Sequence, residues 1–280
     1  MKLRITLSVL VIFVSACGGG GGGGGGGGLT RSSTNASVFE TTEFNAQEGL
    51  GIVKAQNMFE RGGTGSGVIV GVADSGVDVR EVSADADQSS HIDVDVAKSF
   101  DVVNQVVGSA SDENGHGTHV AGIIAAPRNG QFMHGIAFDA QIANYRIMDA
   151  DGFVVATDPQ LADMLFRART DGVNIMNNSW GSSVSISESG AAAQVAALSL
   201  YSGEAQTYVS SGGVIVFAAG NSSKADPSAE AGIPQSVTGL EAGWIVAVAV
   251  DLNGLEPLYT NRCGVSANYC IAAPGGGDNQ

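Results

Sequence analysis

Five largely apolar runs, at 68–73, 142–148, 173–176, 214–219 and 245–250, constrain this chain more than any other feature. A strand with one wet face alternates apolar and polar residues, whereas a strand covered on both faces reads as a continuous apolar run. Between the runs lie stretches with helical character at 116–126, 159–170 and 191–201, and a further one at 46–61 precedes them. This alternation predicts an α/β fold, a doubly wound and mostly parallel sheet with helices on both faces. The 44% apolar and 15% charged content of the 280 residues supports a core of that size. No internal repeat is visible. In such sheets functional residues collect beyond the carboxyl ends of the strands, and Asp74 and Asn221 stand at or just past the ends of two runs.

The first residues read as an address. Lys2 and Arg4 precede an apolar stretch at 5–14, then small residues and Cys17. That is the charged start, apolar centre and small-residue cleavage zone of an export signal, residues 1–16. Val14-Ser15-Ala16-Cys17 resembles the lipobox of bacterial lipoproteins, which implies lipid on Cys17 and a membrane anchor. The 11 glycines from Gly18 to Gly28 follow as a flexible tether, with a random-coil reach on the order of 18 Å. The Ser-, Thr- and Asn-rich stretch at 29–44 is expected to extend it, so that the tether covers 17–44 and the folded domain 45–280. No apolar run reaches the roughly 20 residues of a membrane-spanning helix. With 13 Lys plus Arg against 28 Asp plus Glu, a net charge of -15 argues against nucleic acid as a partner.

Three short motifs narrow the chemistry. Asp74 lies in Val72-Ala73-Asp74-Ser75-Gly76-Val77, and His116 in Asn114-Gly115-His116-Gly117-Thr118-His119-Val120-Ala121-Gly122. Asn221 closes Phe217-Ala218-Ala219-Gly220-Asn221. In order and spacing they resemble the subtilisin-like (S8) serine peptidases. The resemblance implies that Asp74 and His116 are the triad acid and base and that Asn221 is an oxyanion-hole donor. It further implies that Ser179, Trp180 and Gly181, in Asn178-Ser179-Trp180-Gly181, lie along the substrate together with Ala219 and Gly220. Ala272-Ala273-Pro274-Gly275 is similar to the segment that leads toward the nucleophile in that family. Protein or peptide substrates and no cofactor are implied, with a structural calcium left open. The chemistry agrees: a serine hydroxyl needs an imidazole to take its proton, and the imidazole needs a carboxylate to fix its tautomer.

Other assignments fit these residues less well. Asp-Ser-Gly also occurs in aspartic peptidases, but in pairs, and here there is one. His116 and His119 are three apart, whereas a zinc peptidase needs two histidines four apart enclosing a glutamate. His119 is therefore expected to be a buried helix neighbour, and His91 and His134 to be structural or exposed. Trp180 is expected to pack in the core. Asp149, Asp151 and Gly152 suggest a turn, because too few oxygen ligands follow for a calcium loop. No metal site is expected.

Cys263 and Cys270 enclose six residues. In an exported protein so close a pair is expected to form a disulfide. This pair, the lipobox and the polyglycine run together resemble the S8 passenger domains of Gram-negative autotransporters, implying an outer-membrane or cell-surface lipoprotein. The family's nucleophile lies in Gly-Thr-Ser, and no such triplet occurs in the 280 residues. The domain is thus expected to be incomplete at its C-terminus and inactive alone. Two functions remain open: a surface serine endopeptidase whose serine lies in further sequence, or a non-catalytic surface lipoprotein acting as a binding module.

Overall fold

The structure, a computed structural model, describes residues 38–78, 92–108 and 111–277. The export signal, Cys17, the polyglycine run and His91 lie outside the described residues.

Eight strands form one sheet: β1 (Ile69–Asp74), β2 (Phe100–Asp101), β3 (Val106–Val107), β4 (Gln141–Arg146), β5 (Ile175–Asn178), β6 (Val214–Ala218), β7 (Trp244–Val250) and β8 (Cys270–Pro274). Their order is β3-β2-β4-β1-β5-β6-β7-β8, and every pairing is parallel except β2 with β3. The α/β, mostly parallel architecture expected from the apolar runs is the one observed. The chain adds β2, β3 and β4 on one side of β1 and then crosses to β5 on the other. That reversal opens a crevice at the carboxyl end of β1, the position at which open α/β sheets bind ligands.

Period-2 alternation divides the strands between two cores. Val70, Val72, Ile142, Ile175 and Val216 pack with Val120, Ala121 and Ile124 of a helix at His116–Ala125. Ala73, Tyr145, Met176, Phe217 and Val246 pack with helices at Asp158–Thr170 and Ser199–Ser210. A Cβ at Gly71 would strike the sulfur of the buried Met176, so any larger residue there requires that side chain to move.

Three local expectations are corrected. The helix expected at 46–61 is two short ones, α2 (Glu48–Ile52) and α3 (Ala55–Phe59), after a first turn of helix α1 (Thr42–Asn45). Lys54 between them is left-handed, with φ 55°, and Gly49 and Gly51 weaken the first half. The stretch expected at 191–201 breaks at 197–198 into α6 (Ala191–Ala196) and α7 (Ser199–Ser210), with α4 (His116–Ala125) and α5 (Asp158–Thr170) before them. Asp158 starts α7 by accepting the amides of Leu200 and Tyr201 at 3.0 and 2.8 Å. The tether does not extend to Phe44. Phe44 is buried with Leu50, Phe59 and Ile136, and Phe39 packs against them, so the domain begins before residue 45. Ala272, Ala273 and Pro274, the start of the segment likened to the one leading toward the nucleophile, lie in the edge strand β8.

Candidate active site

Asp74 is the last residue of β1 and fully buried. Its Oδ1 accepts the Ser75 amide at 2.7 Å and meets His116 Nδ1 at 2.7 Å. His116 is the first residue of α4, preceded by Gly115 at φ 95°. Gly117 permits the approach of helix to strand, since a Cβ there would collide with the Gly76 carbonyl and reach the Asp74 Cβ at 3.1 Å. The His116 ring is almost completely buried, and its Nε2 has no hydrogen-bond partner in the structure. Burial pushes the imidazole toward neutrality. The hydrogen bond and charge of Asp74, with the charge of Asp112, outweigh it and hold the pKa above the ordinary histidine value.

Asp112 was not singled out from the sequence, yet it ties this corner together. Its Oδ1 accepts Ser75 Oγ at 2.8 Å and the Gly115 amide at 2.8 Å. Its Oδ2 accepts both the amide and the hydroxyl of Thr118, at 2.9 and 2.7 Å. Ser75 Oγ in turn accepts the Gly117 amide at 2.9 Å. Burial would raise the Asp112 carboxyl, but these donors overcome it and lower its pKa. One carboxylate thus anchors both the loop after Asp74 and the first turn of α4. The only local signal for it is an acid placed just ahead of the Asn114-Gly115 turn.

The remaining expected site residues follow the neighbouring strands at the same edge of the sheet. Asn178 ends β5 in register with Ala73 and Phe217. Ser179 and Trp180 are buried just beyond it. Trp180 belongs to the core, edge-on to Phe217 at 5.1 Å, with its indole N–H donating to Asn178 Oδ1 at 3.1 Å. Gly181 lies so close to Ser228 and Glu230 that a Cβ would come within 2.8 Å of the Ser228 hydroxyl. Glu230, also missed from the sequence, is buried and fixes the next residue by accepting the Ser182 amide at 2.8 Å. Asn221 follows β6 and is partly exposed. Ala219 turns its backbone inward, N–H to the Ala247 carbonyl and C=O to the Ser228 amide, both at 2.8 Å, and Gly220 has φ 107°.

His119, expected to be buried, is exposed; burial of part of the ring and the charge of His116 lower its pKa. Asp149 forms the expected turn, Oδ1 accepting the amides of Asp151 at 3.1 Å and Phe153 at 2.9 Å. Among the described residues no cluster of three His, Cys, Asp or Glu is placed to hold a metal. A polar cleft of about 230 Å³ borders Ser75 and is lined by Asp101, Glu113, Arg146, Met148 and Asp149. Cys263 and Cys270 form a disulfide, as their spacing predicted.

A doubly wound sheet thus carries a buried Asp–His pair at the carboxyl end of β1. The subtilase family profile matches residues 65–280, and the chain belongs to that family. It is 26% identical over 274 residues to an extracellular serine protease of Serratia marcescens, covering 85% of this chain and 25% of that protein. It is 35% identical to subtilisin BL of Lederbergia lenta over 134 residues, 48% of this chain and 45% of that one. Over 62 residues it is 48% identical to serotype-specific antigen 1 of Mannheimia haemolytica, 22% of this chain and 7% of that protein. The chain thus spans about a quarter of the length of the Serratia relative. Among the described residues no helix is long and apolar enough to cross a membrane.

Proposed function

We propose that this chain carries the acid–base half of a serine endopeptidase exported to the cell surface. The observation that carries the reading is the 2.7 Å contact between Asp74 Oδ1 and His116 Nδ1, with Nε2 left without a partner. Asp74 keeps the proton on Nδ1, so Nε2 has the lone pair that removes the proton of a serine hydroxyl as it attacks a peptide carbonyl. His116 then holds that proton, its positive charge matched by Asp74, and returns it to the departing amine. Asn221 donates its side-chain amide to the oxyanion. The segment at 179–181 flanks the bound peptide. No Gly-Thr-Ser occurs in the 280 residues, and the serine in this reading belongs to further sequence of a longer gene product. Export rests on the signal at 1–16 and on relatives named as extracellular proteases. Lipid on Cys17 would hold the domain at the outer surface.

The test is labelling with a fluorophosphonate, which reacts only with an activated serine. The longest gene product containing this chain is expected to be labelled and to cleave peptides. Its His116→Ala variant and the 280 residues alone are expected to do neither. A folded long product that takes no label would overturn the reading in favour of a binding module. Label on the 280 residues alone would mean that another serine acts.

A further inference from the structure

We propose that Asn261 is a positioning residue for Asn221, an inference that rests on the peptidase reading. Asn261 lies in the loop after β7, far from Asn221 in sequence, and is fully buried. Burying a primary amide is costly unless its donors and acceptors are met. Those of Asn261 are met by the turn around Asn221. Its Oδ1 accepts the amides of Ser222 at 2.9 Å and Lys224 at 3.0 Å. Its Nδ2 donates to the Ala219 carbonyl at 3.0 Å, and its own backbone amide donates to the Gly220 carbonyl at 2.8 Å. The residues immediately before and after Asn221 are therefore held by one asparagine.

The flanking backbone continues the same seam. Ser223 N–H donates to the Tyr259 carbonyl and Arg262 N–H to the Lys224 carbonyl, both at 2.9 Å. Contact is close enough that a Cβ on Gly220 would sit 2.6 Å from Asn261 Nδ2, so position 220 takes glycine both for its φ and for this neighbour. Two residues beyond Asn261, Cys263 is bonded to Cys270 at the start of β8. Val265 N–H donates to Asp226 Oδ1 at 2.8 Å and ties the far end of the turn. An apolar side chain could fill the space occupied by Asn261; only an amide meets donors and acceptors on both sides of Asn221. An oxyanion donor acts through placement, and a displacement of about 1 Å can cost on the order of 100-fold in rate.

A double-mutant cycle on the longest active gene product tests this. Asn221→Ala should lower kcat by roughly 10² to 10³-fold. Asn261→Ala should lower kcat by on the order of 10- to 100-fold with little change in KM, and should cost nothing further when Asn221 is already alanine. Asn261→Asp, the same size, keeps the two acceptor contacts but replaces the donor to Ala219 with an oxygen that faces its carbonyl; its loss should likewise vanish in the Asn221→Ala background, and it serves if the alanine variant does not fold. In the 280-residue chain, Asn261→Asp should speed amide exchange at Ala219 and its neighbours while β1 keeps its protection. A normal Asn221 effect with an additive Asn261 loss, an unchanged kcat, or a rise in KM alone would overturn the positioning role by itself. An unchanged kcat in Asn221→Ala, or a wild type without activity, would remove the parent reading and this proposal with it.

Discussion

His116 and His134 are both buried, the first opening α4 and the second in the loop beyond it, and their pKa values move in opposite directions. His134 is enclosed by aromatic rings, with centroids at 5.1 Å to Phe138, 5.8 Å to Phe59 and 6.0 Å to Phe44. Its Nδ1–H donates to the Gly135 carbonyl at 2.8 Å, and Nε2 has no partner. Burial pushes its pKa down, and the Gly135 bond and the charge of Glu43 do not recover the loss, which Arg128 deepens. Glu43 spends its carboxylate on the amides of Asn129 and Gly130 at 3.0 and 2.9 Å. Burial by itself therefore lowers the pKa of a histidine. What distinguishes His116 is a carboxylate placed directly on Nδ1.

The largest effect should come from breaking that contact. Asp74→Asn keeps the size and removes the charge, leaving His116 with its burial and the more distant charge of Asp112. In Ser-His-Asp peptidases the equivalent change lowers kcat by about 10⁴-fold. A similar loss is expected in the longest gene product, measured on a peptide substrate at neutral pH.

On the other side of the comparison, Phe59→Ala should open the aromatic cage. Phe59 is 2% exposed and touches Phe39, Phe44, Phe138 and His134. Emptying such a site typically costs about 3–5 kcal/mol, read from denaturant unfolding of the 280-residue chain.

Smaller, and opposite in sign for the two rings, is the dependence of stability on pH. The depressed pKa of folded His134 means that stability is lost as pH falls below the unfolded value near 6.5. His134→Phe should remove that loss, which is at most about 1.4 kcal/mol per pH unit. The raised pKa of folded His116 contributes stability that is complete below pH 6.5 and disappears as pH rises through its folded value. The gap between wild type and His116→Ala should accordingly narrow toward alkaline pH. Parallel curves for the two variants would contradict both assignments.

The five largely apolar runs were legible because a strand covered on both faces carries few polar residues, only Asn144, Arg146 and Asn174 here, and β1 and β4–β7 fall within a few residues of them. The pairing of Asp74 with His116 was legible through motif order. Asp112, Glu230 and Asn261 were not: each is a single polar residue in a loop, and its role exists only once another segment presents its amides. Phe39 and Phe44 were hidden for a related reason. They lie among Ser, Thr and Asn without helical or strand period, and only the arrival of Phe59, Ile136 and Phe138 makes them core. The break before α7 depends in the same way on Asp158 from another helix.

The claim that Asp74 makes His116 a competent base is tested most directly by titrating the ring protons of the chain's four histidines by NMR, each assigned through its own substitution. His116 should titrate above the ordinary value of 6.5 and His134 below it, and Asp74→Asn should bring His116 down without moving His134. A His116 that titrates at or below 6.5 in the wild type, or that ignores Asp74→Asn, would contradict the account.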